Sequence, residues 1–223
     1  MIKIIFMVST FCLPSRIKVF LYNRILGWEL EATVTIGLSL ILCDKLVMER
    51  GSNIGNLTVI KGIAKLCIEE NGSLGSLNWV TGFPLGESKH FDKDIERKPL
   101  LHIKKHAAIT SRHLIDCTDS VIIGEYSTFA GFRSQILSHS INLKESRQRC
   151  KPVIIGSYCF VGTGCIFLPG SSLPNNSILA AGSVLTNYAF EEGCLYGGVP
   201  AKKIKNIDLA EYKYMHRKVG FVT

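Results

Sequence analysis

Large apolar residues and small residues alternate on a six-residue rhythm through the C-terminal half of the chain. Ile155, Val161, Phe167, Leu173, Leu179 and Leu185 share one register, and Cys159, Cys165, Ser171, Ser177 and Ser183 follow at fixed offsets. A fixed internal period marks stacked copies of one short unit. Side chains alternate across a strand, so a large inward residue fills a flat side and a small inward one fits the corner after it. Three such sides close a triangular turn of about eighteen residues, and successive turns stack about 4.8 Å apart. The pattern predicts an all-β fold: a parallel β-helix shaped as a triangular prism.

The rhythm begins much earlier. Leu30, Ile36, Leu42, Met48, Ile54, Ile60 and Leu66 form a first block, with Gly37, Cys43 and Gly55 directly behind large residues. Ile103, Ile109, Ile115 and Val121 form a second, and Ile123, Phe129 and Gln135 follow in a register moved by two. Slips by an even number keep inward positions inward, which predicts one continuous core. A β-sandwich of short strands would place its turn signals at wider spacing. Gln135 stands where this register expects an apolar residue, and a polar group there needs partners.

The ends and interruptions set the organisation. MIKIIFMVSTFCL is an apolar lead-in, short for a membrane span and without a clear cleavage site. A helix opens at Pro14 and Ser15, carries an apolar stripe of Ile17, Phe20, Leu21 and Ile25, and stops at Gly27. Such a helix can cover the open end of the prism, which otherwise exposes an unpaired strand edge. Residues 81–100 and 142–152 are polar and read as loop excursions, the second directly after His139. Beyond Leu185, GGVPAKKI reads as a turn out of the coil, followed by a polar helical segment from Leu209 to Lys218. The predicted units are a helical cap over 1–29, a β-helix over 30–186 and an extension over 187–223.

Charge matters once it is located. The net +8 resides at the two ends, with Lys3, Arg16, Lys18 and Arg24 unopposed by any acid in the first 28 residues. The second cluster is Lys202, Lys203, Lys205, Lys213, Arg217 and Lys218 against Asp208 and Glu211. A nucleic-acid binder would spread its basic face over the fold with aromatics interleaved, so no nucleic-acid partner is expected. The ends suit a polyanion or a peripheral contact with an anionic membrane, or else are solvated faces. Eight cysteines without a CxxC pair do not form a disulfide framework; Cys43, Cys67, Cys159 and Cys165 serve as compact filler. That usage predicts a reducing, cytoplasmic location, peripheral at the inner membrane face if the ends make that contact.

The segment PVIIGSYCFVGTGCIFLPGSSLPNNSILAAGSVLTN, with YGGVPAKKI after it, resembles the hexapeptide-repeat acyltransferases, whose fold is a left-handed parallel β-helix. TSRHLIDCTDSVIIGEYSTFAGFRSQILSHSI and the upstream LPSRIKVFLYNRILGWE are similar to the sugar O-acetyltransferases of bacterial surface polysaccharides. The resemblance implies transfer of an acetyl group from acetyl-CoA to a hydroxyl of a sugar or polysaccharide precursor, by a homotrimer with sites between neighbouring prisms. It implies that His139 is the catalytic base. An imidazole titrating near about 6.5 suits that role at neutral pH, and no Ser or Cys nucleophile is needed. His113 and Asp116 are further candidates, about one and a half turns before His139, able to meet it across an interface. Arg133 and Gln135 are candidate acceptor contacts. The resemblance also runs pantetheine beside the last coils, against Gly162, Ala180, Ala181 and Gly182, with Lys202 and Lys203 facing the CoA phosphates. No metal is expected.

Two other functions compete. One is a zinc enzyme on the same prism, like the γ-class carbonic anhydrases, which needs three converging imidazoles. His102, His106, His113 and His139 are available, but their spacing departs from that family's pattern. The other is a non-catalytic β-helix scaffold.

Overall fold

A computed structural model of the chain describes residues 2–86, 89–91, 93–186 and 191–220. Residues 87–88 and 92 of the predicted first excursion, and 187–190 and 221–223 of the extension, lie outside the described residues. Among the described residues the chain winds through three sheets of seven, nine and seven strands, and strands of successive coils pair in parallel. Inward positions form an almost unbroken apolar column, with Leu74, Leu101, Ile109, Ile115, Phe129, Val161, Phe167 and Leu173 fully buried.

The period is looser than the sequence suggests, for a reason visible in the first sheet. There the strands of the middle coils turn two apolar residues inward, as in Leu46 and Met48, Leu66 and Ile68, and Val121 and Ile123, whereas the last strand of that sheet, Ser172–Leu173, turns in one. Leu46 therefore pairs with Leu66, twenty positions on, whereas Ile155 pairs with Leu173 after eighteen. The register shift of two arises from this longer side. Two expected inward positions are corrected. Ile41 is buried in place of Leu42, and Ile136 in place of Gln135, which faces outward. Both slips occur at corners, and the second follows left-handed backbone at Gly131 and Arg133 that takes up an extra residue.

Corners demand small residues because the next coil lies directly above. Gly37, Gly55, Gly75, Thr110, Ala130, Gly162, Ala180 and Gly197 follow the paired strands of the second sheet in register. A Cβ on Gly162 would lie 2.6 Å from the Ala181 nitrogen. Other corners use left-handed residues with side chains, among them His106, Tyr126 and Tyr158. Their rings stack at 4.9 and 4.8 Å between centroids, close to the coil repeat, which offsets the backbone cost.

Two helices close the N-terminal end, α1 (Ile2–Ser9) and α2 (Ser15–Leu26), the latter ended by left-handed Gly27. Their side chains stand in for the missing strand. Asn23 accepts from the Leu30 N–H at 2.9 Å and donates to its carbonyl at 2.8 Å. Ser15 Oγ donates to the Val34 carbonyl and accepts from the Ile36 N–H. Lys18 Nζ donates to the Gly37 carbonyl at 2.6 Å, Lys3 Nζ to that of Cys43, and the Trp28 indole to that of Asp44. This task reverses the expected orientation of α2. Its buried face is Lys18, Val19 and Tyr22, while Ile17, Phe20 and Ile25 of the apolar stripe point outward. No helix among the described residues is long and apolar enough to cross a membrane.

The C-terminal boundary also moves. Cys194–Gly198 continues the second sheet by pairing with Ile178–Leu179, and Ala201–Asn206 returns antiparallel beside it. The turn therefore follows one more strand of the coil. Of the helix expected over Leu209 to Lys218, a single 3-10 turn forms, Lys213–His216, which buries Met215.

If the helices cap the edge as described, Asn23→Ala leaves both polar groups of Leu30 without their partner. Urea unfolding is expected to show a loss of about 1–3 kcal/mol, whereas Arg24→Ala, on the outward face, is expected to leave the midpoint near wild type.

Candidate active site

One edge of the prism, where the third sheet turns into the first, carries two large departures from the coil. Thr81, Asp116 and Leu137 are register partners at the ends of three successive strands of the third sheet. After Thr81 the chain leaves as the segment 82–99. After Leu137 it leaves again, not as an irregular loop but as an antiparallel hairpin, His139–Asn142 against Arg147–Cys150. Asp116 sits between the two departures.

Asp116 and His139 therefore meet within one chain, in contrast to the expected meeting across an interface. The strands bearing them are adjacent, so their separation in the coil is one turn. Asp116 Oδ2 lies 2.6 Å from His139 Nδ1. The same oxygen accepts from the backbone N–H groups of Ser138 (2.9 Å) and His139 (3.0 Å), and from Ser138 Oγ at 3.0 Å. Asp116 Oδ1 accepts from the Thr118 hydroxyl at 2.7 Å and its N–H at 3.2 Å. Thr118 Oγ1 is also 3.3 Å from His139 Nδ1.

Burial pushes the Asp116 carboxyl upward, but the hydrogen bonds from His139, Thr118 and Ser138 outweigh it and hold the group below the usual carboxylate range. An ionised carboxylate only accepts, so Nδ1 carries the proton and Nε2 presents its lone pair. Among the described contacts none occupies Nε2. Phe83 and Phe91 set ring edges against the imidazole, at 5.4 and 6.1 Å between centroids. Cys150, opposite His139 in the hairpin, is no activated nucleophile: burial pushes its thiol up to about 12.

The other predicted residues are not gathered at His139. His113 is 2% exposed and packs edge-on against Phe129. Its Nδ1 accepts from the Ser134 N–H at 3.2 Å and its Nε2 meets Thr110 Oγ1 at 3.0 Å. Both of its nitrogens are engaged inside the wall, away from His139. Arg133 is exposed at the opposite end of the strand Gln135–Leu137, its guanidinium 6.0 Å from the Phe132 ring. Gln135 faces outward on the third sheet in register with Leu114, beyond which lies Trp79.

Gly162, Ala180, Ala181 and Gly182 do cluster, at the edge between the second and third sheets. The smallness of Gly162 is required by the coil above, whereas Gly182 has open space where a Cβ would stand. Lys202 is exposed on the last strand, and Lys203 pairs with Glu191. Thr118, Ser138, Phe83, Phe91 and Arg97 were not among the expected site residues. The adjacency of Ser138 to His139 and of Thr118 to Asp116 is the signal that sequence alone offered for them. A polar cleft of about 600 Å³ borders the site, lined by Asp94, Arg97, Lys98, Asp119, Ser120 and Cys150 among others.

Among the described residues no three His, Cys, Asp or Glu side chains are placed to hold a metal ion. His102 pairs with Glu69, His106 stacks on Tyr126, and His113 and His139 have the partners given above.

No family model matches the sequence, and no curated protein matches it significantly. Among solved structures, the polysialic acid O-acetyltransferase OatWY aligns with a TM-score of 0.57 at 18% identity, over 80% of this chain and 84% of that one. A mutant of AntD, an N-acyltransferase from Bacillus cereus in complex with dTDP-4-amino-4,6-dideoxyglucose and coenzyme A, aligns with a TM-score of 0.50 at 16% identity, over 81% and 84%. The hexapeptide-repeat acetyltransferase VCA0836 from Vibrio cholerae overlaps over 48% of this chain at 22% identity, with a TM-score of 0.46. The chain spans 63% of that protein, less than two thirds of its length. The likeness is one of fold, the left-handed parallel β-helix that the hexad register and the resemblance predict.

His113 makes stability depend on pH. Burial depresses it from 6.5 to about 4, so between these values the unfolded chain binds a proton that the folded one refuses. Its contribution is complete above about 6.5, falls as pH drops, and levels off below about 4. Urea midpoints measured across that window are expected to decline for wild type and to decline less for His113→Gln.

Proposed function

We propose that the protein is an acyl-CoA-dependent acyltransferase that moves an acetyl group onto a hydroxyl of a sugar or surface-polysaccharide precursor. The observation that carries this reading is the 2.6 Å contact of His139 Nδ1 with a buried, fully hydrogen-bonded Asp116, which leaves Nε2 as an aimed base. Acyl transfer to an alcohol needs such a base. Nε2 takes the hydroxyl proton as the oxygen attacks the thioester carbonyl, and the C–S bond then breaks. The imidazolium returns the proton to the departing thiolate. Asp116 holds the tautomer and stabilises the imidazolium through this cycle, as the carboxylate does in a Ser-His-Asp triad.

Acetyl-CoA supplies the activated acyl group. The open surface at Gly182, beside Ala180, Ala181 and Gly162, suits close approach of a pantetheine arm, and exposed Lys202 suits a phosphate. Lys203 would first have to leave Glu191. Coenzyme A and a dTDP-sugar in the AntD complex, and the polysialic acid substrate named for OatWY, support the donor and acceptor classes. The mixed carboxylates, hydroxyl and cations of the cleft beside Arg97 suit sugar hydroxyls. We read the assembly as a homotrimer: Trp79 and Leu114 remain 46% and 40% exposed on the third sheet, beside Gln135, and a neighbouring prism would cover them. In that arrangement Gln135 and Arg133 serve the neighbour's site.

The same proposal takes the N-terminal end as a peripheral contact with anionic membrane on the cytoplasmic side. Ile2, Ile5, Val8 and Phe20 are each more than 60% exposed, beside exposed Arg16 and Arg24, with no acid before Glu29. Co-sedimentation with phosphatidylglycerol vesicles at low salt is expected, weakening as salt screens the arginines. No binding at low salt contradicts this part.

Acetyl-CoA turnover against a panel of glycan acceptors, with mass spectrometry of products, tests the activity. His139→Ala is expected to lower kcat by about 10²–10⁴-fold, and Asp116→Asn by a comparable factor through loss of the tautomer. Unchanged acetyl-CoA consumption in His139→Ala overturns the assignment.

A further inference from the structure

We propose that Arg97 is a positioning residue that pins Phe83, Pro84 and Phe91, described residues of the first excursion, as a strap against His139, and so decides whether acceptor or water meets the base. The second half rests on the acyl-transfer reading above; the first half does not.

Arg97 is 7% exposed, and its partners are unusual for a buried cation. Nη1 donates to the carbonyls of Phe83 (2.6 Å) and Thr118 (3.1 Å), and Nη2 donates to that of Pro84 at 2.7 Å. The guanidinium carbon lies 4.8 Å from the Phe91 ring centroid. No described partner is a carboxylate. A desolvated guanidinium is tolerated only while its N–H groups are satisfied, so the cation needs the strap folded back over it. The strap in turn is held by the cation, at the residues that build the wall against His139.

The same guanidinium reaches the floor of the site. Thr118, whose carbonyl it holds, donates its hydroxyl to Asp116. One side chain thus ties Phe83, Phe91 and the Asp116–His139 pair together while touching no reacting atom. Two further ties bracket it. Asp94 Oδ2 accepts from Arg149 Nε and from the Cys150 N–H, fastening the strap to the hairpin strand opposite His139. Asp119 Oδ1 accepts from the Lys98 N–H at 3.1 Å. A lysine at 97 keeps the charge but has no planar fork to satisfy three carbonyls in different directions.

The wall and the transfer chemistry can be tested apart. Diethyl pyrocarbonate acylates unprotonated imidazole, and its rate at His139 is read by mass spectrometry of the peptide without any enzymatic substrate. His139 is expected to react severalfold faster in Arg97→Gln and in Phe83→Ala than in wild type, with Arg97→Lys between. Phe83→Ala keeps the carbonyl that Arg97 holds, so it remains informative if Arg97→Gln fails to fold. An unchanged rate in folded Phe83→Ala overturns the strap.

In turnover assays, kcat for acetyl transfer in Arg97→Gln is expected to fall by about 10–100-fold. KM for acetyl-CoA should stay near wild type, and free acetate should rise relative to acetylated acceptor. Partial recovery is expected in Arg97→Lys. Equal loss in kcat and gain in KM, with no rise in acetate, overturns the positioning role. If wild type consumes no acetyl-CoA, the acyl-transfer reading fails, and the modification rates alone decide the strap.

Discussion

Stacking one coil directly on the next constrains the rest of this molecule. At a repeat of about 4.8 Å there is no room between coils for an extra side chain at a corner, and Gly162, whose Cβ would collide with Ala181, shows how little slack exists. A corner or a longer strand can take up one or two additional residues, and larger insertions can only leave outward, at an edge. In this chain the large departures, 82–99 and the hairpin from His139, leave the same edge, with Asp116 between them. The site is a consequence of where the coil could be interrupted without losing register.

That edge also solves an electrostatic problem. A carboxylate at an edge facing water would be a weak partner for an imidazole, because solvent competes for both. Here Asp116 is 6% exposed, and its cost of burial is offset by donors the coil already places there: two backbone N–H groups at the start of the hairpin, the Ser138 and Thr118 hydroxyls and the Thr118 N–H. Three of these donors are backbone N–H groups, held in place by the coil and the hairpin themselves. His139, 28% exposed at its side chain, keeps access on the other side. The N-terminal end shows the same economy, since Asn23, Ser15 and Lys18 satisfy the open strand edge and leave the apolar face of α2 outward.

The fold was legible in the sequence because the six-residue rhythm reports inward packing directly. Its failures at Leu42 and Gln135 were single-residue slips at corners, one residue fewer before Ile41 and one more before Ile136, where left-handed Gly131 and Arg133 absorb it. His139 was legible as the last residue before an excursion. Asp116 was visible as a candidate, but its meeting with His139 depends on coil length, and the sequence offered eighteen where the first sheet makes twenty. His113 misled because a histidine inside the wall, bonded to Thr110 and Ser134, has the same letter as one facing solvent. Arg97 was invisible in a polar stretch, since a buried arginine held by carbonyls has no local pattern.

Everything proposed for this site depends on Asp116 fixing His139 with its proton on Nδ1 and its basic lone pair on Nε2. Long-range proton–nitrogen correlation spectra of histidine-labelled protein read that tautomer directly, with His139 assigned by its loss in His139→Ala. A neutral imidazole protonated at Nδ1 is expected in wild type, and a mixed or Nε2-protonated ring in Asp116→Asn. An Nε2-protonated His139 in the wild-type protein would overturn the role given to Asp116.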